Sequence, residues 1–445
     1  MPPGIAAFIC ILLILYLFWI DRKNNEGVSI AIWIPFIWMF LSGSRYVSQW
    51  LDLGTPVLSA DVYIEGNSID ITVFTLLIIA GVFILLRRRL NWNALFKQNA
   101  WVWLFFVFGA LSLLWSDYPF VSFKRLIKAL GTVTMALVVL TEDRPYIAIG
   151  VILKRLAFLL LPLSVLFVKF YPELGRAYDA EGTPMFTGVG FQKNALGQIC
   201  LLSGIYFAWN IFLGRTEGSS GQRLHYSIYL IILPMIAWLF HMANSATSLT
   251  CMAFALCLFV IARQPVFVSK PRRIIIFGVL CVALFGMLEL AFDIKGALLT
   301  LLGRNVDLTG RADVWENYLS MVRDPIFGYG YEIFYTSVMM QKKIDFFRST
   351  HNGYLEMYLN LGIIGLLFVA GWIMTGLIKV WRYLKTDYTA AIMRLALIVV
   401  VAFYNWTEAG FAGTSNIWML LFLAVMSAPG KEGVERNEMQ KNPEE

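Results

Sequence analysis

The chain has 445 residues, of which 59% are hydrophobic and only 15% are charged, whereas soluble domains carry about 25% charged residues. Apolar stretches of about 20 residues, long enough to cross roughly 30 Å of hydrocarbon, recur from end to end. These properties exclude an ordinary soluble enzyme and predict an all-α polytopic integral membrane protein, because a helix satisfies its own backbone polar groups in lipid. The net charge of +7 does not indicate a nucleic-acid partner, since basic residues commonly set membrane topology.

Thirteen apolar segments are predicted to be transmembrane helices, although short or ambiguous segments would also allow twelve or fourteen. The first segment lacks a basic start and a small-residue cleavage site and is followed at once by DRKNNE. It is therefore predicted to be a retained helix rather than a signal peptide. The predicted segments are 5–20, 28–42, 70–86, 100–115, 122–140, 146–168, 194–213, 226–242, 247–262, 274–292, 353–378, 391–406 and 414–427.

The distribution of Lys and Arg predicts the orientation of these helices. Most links on one side are short and basic, as at 87–99 and 263–273, so the positive-inside rule predicts that this side is cytoplasmic. The N-terminus is then outside and the C-terminus inside. The predicted organisation is a membrane region at 1–292 with outer loops at 43–69 and 169–193, a large, partly helical outer loop at 293–352, a second membrane region at 353–427, and a polar, disordered tail at 428–445.

Short motifs follow one another in and after the longest outer loop. Thr309-Gly310-Arg311 is followed by Trp315 four residues after the arginine, then by DPIFGYG at 324–330, then by His351-Asn352, with Gly362 eleven positions past the histidine. Upstream lie FTGVGFQKNALGQI, which contains Lys193-Asn194, and LWSDYPFVSFKRLIKAL at 114–130. Each motif alone is weak, and their order, spacing and placement on one side of the membrane make the combination more specific.

In this combination the chain resembles the O-antigen ligase and polymerase superfamily, bacterial membrane proteins that transfer whole glycans from a polyprenyl diphosphate carrier. The two upstream segments resemble the exopolysaccharide-polymerase branch in particular. The resemblance covers most of the membrane region and is strongest from 303 to 365.

The resemblance implies a metal-independent glycosyltransferase without a cofactor in the bacterial inner membrane. Its donor would be a polyprenyl-diphosphate-linked oligosaccharide, moved en bloc to a glycan or lipid acceptor on the periplasmic side. Polymerisation of an exopolysaccharide repeat is favoured over ligation to a lipid core because of the QKN segment. Membrane lipid and polysaccharide assembly proteins are the other expected partners, and nucleic acid is not.

Fixed cations are expected at the donor diphosphate, because the leaving group carries negative charge. Arg311 is the first candidate, since a planar guanidinium binds phosphate oxygens in pairs; an ordinary ion pair with Asp313 or Glu316 is the alternative. Lys193 and Asn194 open a helix, where free N–H groups attract phosphate, although Lys193 could instead snorkel to the interface. Arg176, in the loop at 169–193, is a further candidate.

His351 is the candidate catalytic base for the acceptor hydroxyl, since neutral imidazole accepts a proton near pH 7. A capping or interfacial histidine is the alternative. Asn352, Gly328 and Gly330 are expected to support the site. Glu356, one turn further along, would orient the imidazole or meet an arginine.

Several other polar residues are open to two interpretations. Lys124, Arg125 and Lys128 would line the diphosphate path or contact lipid headgroups. His241 could line the cavity, whereas His225 lies in a predicted inner loop. Glu408 is an acid at the membrane edge. Three glycines are predicted to allow close packing between helices: Gly353, Gly362 and Gly365.

Two rival functions belong to other classes. A transporter or flippase for lipid-linked sugars would be expected to show broken helices in two related halves, and no such halves are evident in the sequence. A non-catalytic partner of a polysaccharide assembly complex would tolerate the loss of His351. A metal site is not expected, because there is neither a His–Glu helical pair nor a DxD sequence.

Overall fold

The computed structural model describes residues 1–23, 27–51, 67–178, 182–214, 226–292, 311–342, 349–411 and 413–428, without the side chains of 282–286, 288–292, 311–313 and 342. Almost all of the described secondary structure is helical. In chain order the helices before the small β-hairpin are α1 (Pro3–Lys23), α2 (Trp33–Gly43, preceded by a 3₁₀ turn at Ile30–Ile32), α3 (Val47–Trp50), α4 (Ser68–Arg87), α5 (Trp92–Gln98), α6 (Ala100–Leu111, extended by a 3₁₀ turn at Ser112–Leu114), α7 (Pro119–Leu140), α8 (Pro145–Phe170) and α9 (Pro172–Gly175).

The hairpin pairs β1 (Arg176–Tyr178) with β2 (Pro184–Phe186) in antiparallel register. The helices that follow it are α10 (Lys193–Leu213), α11 (Tyr226–Ala243), α12 (Ala246–Ala262), α13 (Pro265–Ser269), α14 (Arg273–Phe292), α15 (Arg311–Ser320), α16 (Phe334–Lys342), α17 (Gly353–Tyr383), α18 (Tyr388–Thr407) and α19 (Asn416–Val425).

Each of the thirteen predicted segments coincides with helical structure, but the count of thirteen membrane spans is not confirmed. Among the described residues, seven helices are long and apolar enough to cross a membrane: α1, α4, α8, α10, α11, α17 and α18. An eighth is possible if α5 and α6 with its 3₁₀ turn, bent by 83°, form one span. Helix α7 has 22 residues but carries Lys124, Arg125 and Lys128, which make it more polar than these seven.

The core lies where the most apolar helices meet. Helices α8, α10 and α18 are largely buried within the protein, whereas α1 and α4 expose most of their apolar surface. Helix α10 packs against α8, α11 and α12, and α18 packs against α12, α17 and α19. A helix that is hydrophobic on all sides is stable only when other helices or lipid surround it, so the buried helices form the centre and the exposed ones its apolar periphery.

The helix ends that the sequence assigns to one side of the membrane meet one another. On the predicted cytoplasmic side, Asp21 contacts Lys154 and Arg155; we call this side the Lys154 end. On the opposite side, the chain near His351 contacts residues that follow α18; we call this side the His351 end. These contacts join segments that the sequence assigns to the same side, and the assignment of the His351 end to the periplasm stays a prediction.

Helix α17 is interrupted at Gly362, which has φ 63° and ψ −160°. A Cβ atom at this position would lie 2.1 Å from the carbonyl oxygen of Ile326. Gly362 was expected to allow helix packing, but its main role is to break the helix, because only glycine readily adopts this conformation.

The DPIFGYG loop at 324–330 fills the break. The amides of Tyr329 and Gly330 donate to the carbonyls of Leu359 and Asn360 at 3.2 and 2.8 Å, and the amide of Ile363 donates to the carbonyl of Pro325 at 2.9 Å. Backbone groups freed by the break are thus paired, as a non-helical segment within apolar surroundings requires.

The two loop glycines are both needed for this insertion. Gly328 has φ 67° and Gly330 has φ 112°, backbone conformations that residues other than glycine rarely adopt. A Cβ atom on Gly328 would also lie 2.5 Å from the carbonyl carbon and oxygen of Asn360. Gly328 and Gly330 therefore allow the loop to dock onto α17, and their expected support of the site stays a prediction.

Candidate active site

His351 lies immediately before α17 in an unusual backbone conformation. Its φ is 48°, in the left-handed region that non-glycine residues seldom occupy. The next residue, Asn352, caps the helix, since its side-chain oxygen accepts hydrogen bonds from the amides of Tyr354 and Leu355. The cap fixes where α17 begins, and the supporting role of Asn352 in the site stays a prediction.

The His351 side chain contacts an acid that lies 57 residues away in the sequence. Its Nδ1 is 2.9 Å from Oε2 of Glu408, and the two side chains are 35% and 10% exposed. The amide of Gly353 also donates to the carbonyl of Glu408 at 3.1 Å. A histidine held at Nδ1 by a carboxylate has its ring orientation fixed, and Nε2 remains for another partner. Glu408 is therefore the acid that orients the imidazole.

Asn194 extends this pair into a longer network. Its Nδ2 donates to Oε1 of Glu408 at 2.8 Å, and its Oδ1 accepts a hydrogen bond from the hydroxyl of Ser245 at 3.2 Å. Phosphate binding by Asn194 stays a prediction, and in the structure its amide contacts the second oxygen of the acid that holds His351. Helices α10, α12, α17 and α18 thus converge at the His351 end.

Glu356 occupies a different position from the one expected. Its Oε1 accepts hydrogen bonds from the hydroxyls of Tyr335 and Thr350 at 2.7 and 3.1 Å. It neither holds the His351 ring nor meets an arginine in the described part of the chain. Glu356 supports the backbone just before His351, whereas Glu408 contacts the ring itself.

Helix α15 is tied to the same segment through Trp315. The indole Nε1 donates to the carbonyl of Thr350, the neighbour of His351, at 2.7 Å. Arg311 is the first residue of α15 and lies four residues before Trp315, on the same helix face. The side chain of Arg311 is outside the described residues, but its backbone stands one helical turn from a residue that contacts the histidine segment.

The other predicted phosphate ligands differ in whether their charged groups already contact other residues of the protein. Lys193 is exposed at the first position of α10, and it forms no ion pair with any described residue. The guanidinium of Arg176 donates twice to the carbonyl of Val168, at 3.2 and 3.0 Å, and lies over the ring of Phe186. Arg176 therefore anchors the β-hairpin to the end of α8, and Lys193 is the better placed to reach a ligand.

Arg45 is a cation at this end that the sequence analysis did not single out. It donates to the carbonyl of Leu174 and lies 5.2 Å from the ring centroid of Phe191, two residues before Lys193. Burial lowers the pKa of Arg45 from its ordinary value. The available signal was a lone arginine directly after an apolar segment on the predicted outer side.

Two of the three basic residues of α7 contact other elements of the protein. Arg125 donates to the backbone carbonyl of Glu332, and Lys128 lies 5.9 and 5.8 Å from the ring centroids of Tyr46 and Phe74. Lys124 lies 5.3 Å from the ring of Phe120.

The carboxylate of Glu332 connects this region to the chain after α18. Its Oε1 accepts a hydrogen bond from the amide of Gly413 at 2.7 Å. Burial raises the pKa of Glu332, against the opposing effects of this amide and of Arg125. Glu332 and Glu356 line one small cavity together with Tyr331 and Asn360.

The remaining histidines do not join the His351 network in the described residues. His241 is exposed on α11, and His225 lies outside the described residues. No group of three or more His, Cys, Asp or Glu side chains that could hold a metal ion occurs among the residues that the structure describes.

The arrangement combines three chemical properties at one end of the molecule. It holds a partly exposed imidazole by its Nδ1, it places an exposed lysine at a helix N-terminus in the same helix as Asn194, and it ties the helix that begins with Arg311 to the histidine segment. An oriented imidazole can accept a proton from a hydroxyl, and cations at a helix N-terminus can stabilise a phosphate group.

Comparisons with known proteins agree with the motifs. Residues 228–370 match the sequence model of the O-antigen ligase family, a segment that includes His351 and Gly362. The exopolysaccharide production protein ExoQ of Rhizobium meliloti (strain 1021) is 26% identical over 335 residues, which cover 69% of this chain and 72% of that protein. An uncharacterized protein of Haemophilus influenzae is 33% identical over 125 residues, which cover 25% of this chain and 31% of that protein. No solved structure matches the chain.

These matches confirm the resemblance to the O-antigen ligase and polymerase superfamily. Together with the apolar helices they indicate a multi-pass membrane protein.

Proposed function

Since the chain matches the O-antigen ligase family over residues 228–370, we propose that it is a glycosyltransferase of the bacterial inner membrane. It takes an oligosaccharide linked to a polyprenyl diphosphate and transfers it en bloc, without a metal ion, to a glycan acceptor on the periplasmic side. The name of the relative in Rhizobium meliloti, an exopolysaccharide production protein, supports polymerisation of an exopolysaccharide repeat over ligation to a lipid acceptor.

The observation that carries this proposal is the contact between His351 Nδ1 and Glu408. In the neutral imidazole, Nδ1–H donates to the Glu408 carboxylate, and Nε2 carries the lone pair. Nε2 accepts the proton of the acceptor hydroxyl while the hydroxyl oxygen bonds to the anomeric carbon of the donor. The Glu408 charge then stabilises the imidazolium that forms, as a carboxylate does in other histidine-based sites.

The leaving group needs charge stabilisation on the opposite side of the anomeric carbon. As the bond between this carbon and the diphosphate oxygen breaks, negative charge develops on the polyprenyl diphosphate. Arg311 and Lys193 are the proposed ligands of this charge, since the helix beginning at Arg311 is tied to the histidine segment and Lys193 is exposed beside Asn194. Preorganised donors of this kind typically contribute on the order of 10²–10³ in rate each.

The test is single-turnover transfer of a labelled polyprenyl-diphosphate glycan by the purified protein, with retention of the donor measured in parallel. His351→Ala is expected to retain the donor and slow transfer by about 10²–10⁴. Arg311→Lys is expected to lose donor affinity, because it keeps the charge and loses the planar fork. His241→Ala, a change to an exposed histidine outside the network, is the matched control and is expected to behave like the parent.

Two results would overturn the proposal. Transfer by His351→Ala at the parental rate would remove the histidine from the chemistry, and loss of activity on chelation with recovery on adding Mg²⁺ would show that a metal ion is required. Reporter fusions give an independent check, because fusions at 293–352 must report the periplasm and fusions at 87–99 and 263–273 the cytoplasm.

A further inference from the structure

Thr350, the residue before His351, is buried, with 1% exposure, and each of its polar atoms forms a hydrogen bond. Its amide donates to the hydroxyl of Tyr335 at 3.0 Å, and its carbonyl accepts the Trp315 indole N–H at 2.7 Å. Its hydroxyl lies 3.1 Å from Oε1 of Glu356 and accepts a hydrogen bond from the amide of Asn352 at 3.2 Å. The position of Thr350 is therefore fixed by one residue each from α15, α16 and α17 and by the residue that caps α17.

The four contacts come from different parts of the fold. Trp315 belongs to α15, the helix that begins with Arg311, and Tyr335 belongs to α16. The Tyr335 hydroxyl also donates to Glu356 at 2.7 Å, so Tyr335, Thr350 and Glu356 form a closed hydrogen-bonded triangle. A shift of α15 or α16 would be transmitted to Thr350 through a direct hydrogen bond.

The neighbouring histidine needs such support, because its φ of 48° is a strained conformation. A residue in this region costs on the order of 1–3 kcal/mol and persists only where the surroundings determine it. Thr350 fixes the chain before the histidine, and the Asn352 cap fixes it after the histidine. The ring position is thus set by backbone on both sides as well as by Glu408.

We propose that Thr350 is a positioning residue for His351, through which the helix beginning with Arg311 and the helix carrying Tyr335 set the place of the imidazole. The inference rests on the proposed transferase function and deepens it. Under this proposal the position of the His351 ring depends on α15, the helix that also carries Arg311, the proposed diphosphate ligand. Thr350 itself touches neither donor nor acceptor.

The first test compares two substitutions at one position. Thr350→Val keeps the shape of the side chain and removes the hydroxyl, and Thr350→Ser keeps the hydroxyl. A misplacement of a catalytic group by about 1 Å can cost about 10² in rate, so Thr350→Val is expected to lower kcat by roughly this factor with donor retention and KM unchanged. Thr350→Ser is expected to restore most of the rate.

A second pair of variants covers the case in which Thr350→Val does not fold. Tyr335→Phe removes only the hydroxyl that contacts Thr350 and Glu356, whereas Tyr329→Phe removes a hydroxyl that donates to the carbonyl of Met321. Both tyrosine rings pack against Phe334, so the two variants match in chemistry and surroundings. Tyr335→Phe is expected to lower kcat about tenfold or more at constant KM, and Tyr329→Phe is expected to leave kcat unchanged.

The outcomes separate this inference from the proposed function. If the parent transfers glycan and His351→Ala does not, but Thr350→Val and Tyr335→Phe match the parent, the positioning role is wrong and the transferase function stands. Equal losses in Tyr335→Phe and Tyr329→Phe, or a fall in donor retention with no fall in kcat, would also overturn it. If the parent itself transfers no glycan, the proposed function fails, and the inference fails with it.

Discussion

The His351 end and the Lys154 end differ in what holds their charged side chains. At the Lys154 end, Lys154 is fully buried and lies 2.7 Å from Asp21, which also pairs with Arg155 at 2.8 Å. At the same end Arg88 pairs with Glu142. At the His351 end the described ion pairs are less buried: Arg323 pairs with Asp117 at 2.9 Å with side chains 49% and 25% exposed, and His351 contacts Glu408. Lys193 is exposed and forms no ion pair among the described residues.

The difference shows which charges are structural. A buried cation must be paired, because its desolvation costs several kcal/mol, and the cations of the Lys154 end meet this need within the protein. Cations that the protein does not pair can neutralise a ligand instead. The comparison therefore predicts that substitutions at the Lys154 end act on stability and substitutions at the His351 end act on transfer.

The largest effect is expected at Glu408. Glu408→Gln keeps the shape of the side chain and loses the charge that we propose stabilises the imidazolium, so transfer should fall by about 10²–10⁴. Thermal stability in detergent should change little. Glu173→Gln, which alters an exposed carboxylate at the same end, is the control and should transfer normally. If Glu408→Gln unfolds, the His351–Glu408 pair stabilises the fold, as the ion pairs of the Lys154 end do, and this prediction is wrong.

The next effect concerns Asp21. Asp21→Asn leaves Lys154 buried without its counter-charge, and breaking a buried pair in this way costs about 3–5 kcal/mol. A lower melting temperature and a lower folded yield are expected, with normal transfer per folded molecule. Lys385→Gln, which removes an exposed charge at the same end, should stay within about 0.5 kcal/mol of the parent. A selective loss of transfer in Asp21→Asn would contradict the division between the two ends.

Gly362→Ala tests the break that separates the two halves of α17. The strained backbone alone costs about 1–3 kcal/mol, and the added Cβ would lie 2.1 Å from the Ile326 carbonyl oxygen. We expect reduced stability and increased proteolysis of the 324–330 loop. Gly278→Ala is the control, since a Cβ there meets nothing within 4 Å and alanine favours a helix. Equal stability of the two variants would show that the loop does not depend on the break.

The smallest effect is expected at Lys193. Lys193→Gln removes the proposed charge-assisted contact to the diphosphate, and such a contact is worth about 1.5–3 kcal/mol, so donor affinity should fall by roughly 10- to 150-fold. The melting temperature should not change. Lys169→Gln, another exposed lysine at the same end, should retain the donor. Matching losses for the two lysines would indicate a general surface charge effect and no specific ligand.

The positions of the helices were predictable because an apolar run of a given length reports burial or membrane crossing directly. The number of spans was not, since α7 carries three basic residues within an otherwise apolar helix and α19 is short. Composition alone cannot distinguish a helix that crosses the membrane from one that is buried among other helices.

The partners within the site were less predictable than its members. His351 and Asn352 were identified from the motifs, but Glu408 was noted only as an acid at the membrane edge, because no local pattern connects it to a histidine 57 residues earlier. The i, i+5 neighbour Glu356 was the natural choice, and its carboxylate binds Thr350 and Tyr335 instead. Gly362 was interpreted as a packing glycine, since its φ is not visible in the sequence.

The break in α17 also constrains how the protein is made. The carbonyls of Leu359 and Asn360 are paired by a loop that is synthesised about thirty residues earlier, and the break lies nine residues, or about 14 Å, from the start of the helix. Until the loop docks, these carbonyls are exposed within an apolar segment. Integration of α17 into the bilayer should therefore be completed only after the preceding loop has docked, so that folding of this loop and membrane insertion of the helix are coupled steps of biogenesis.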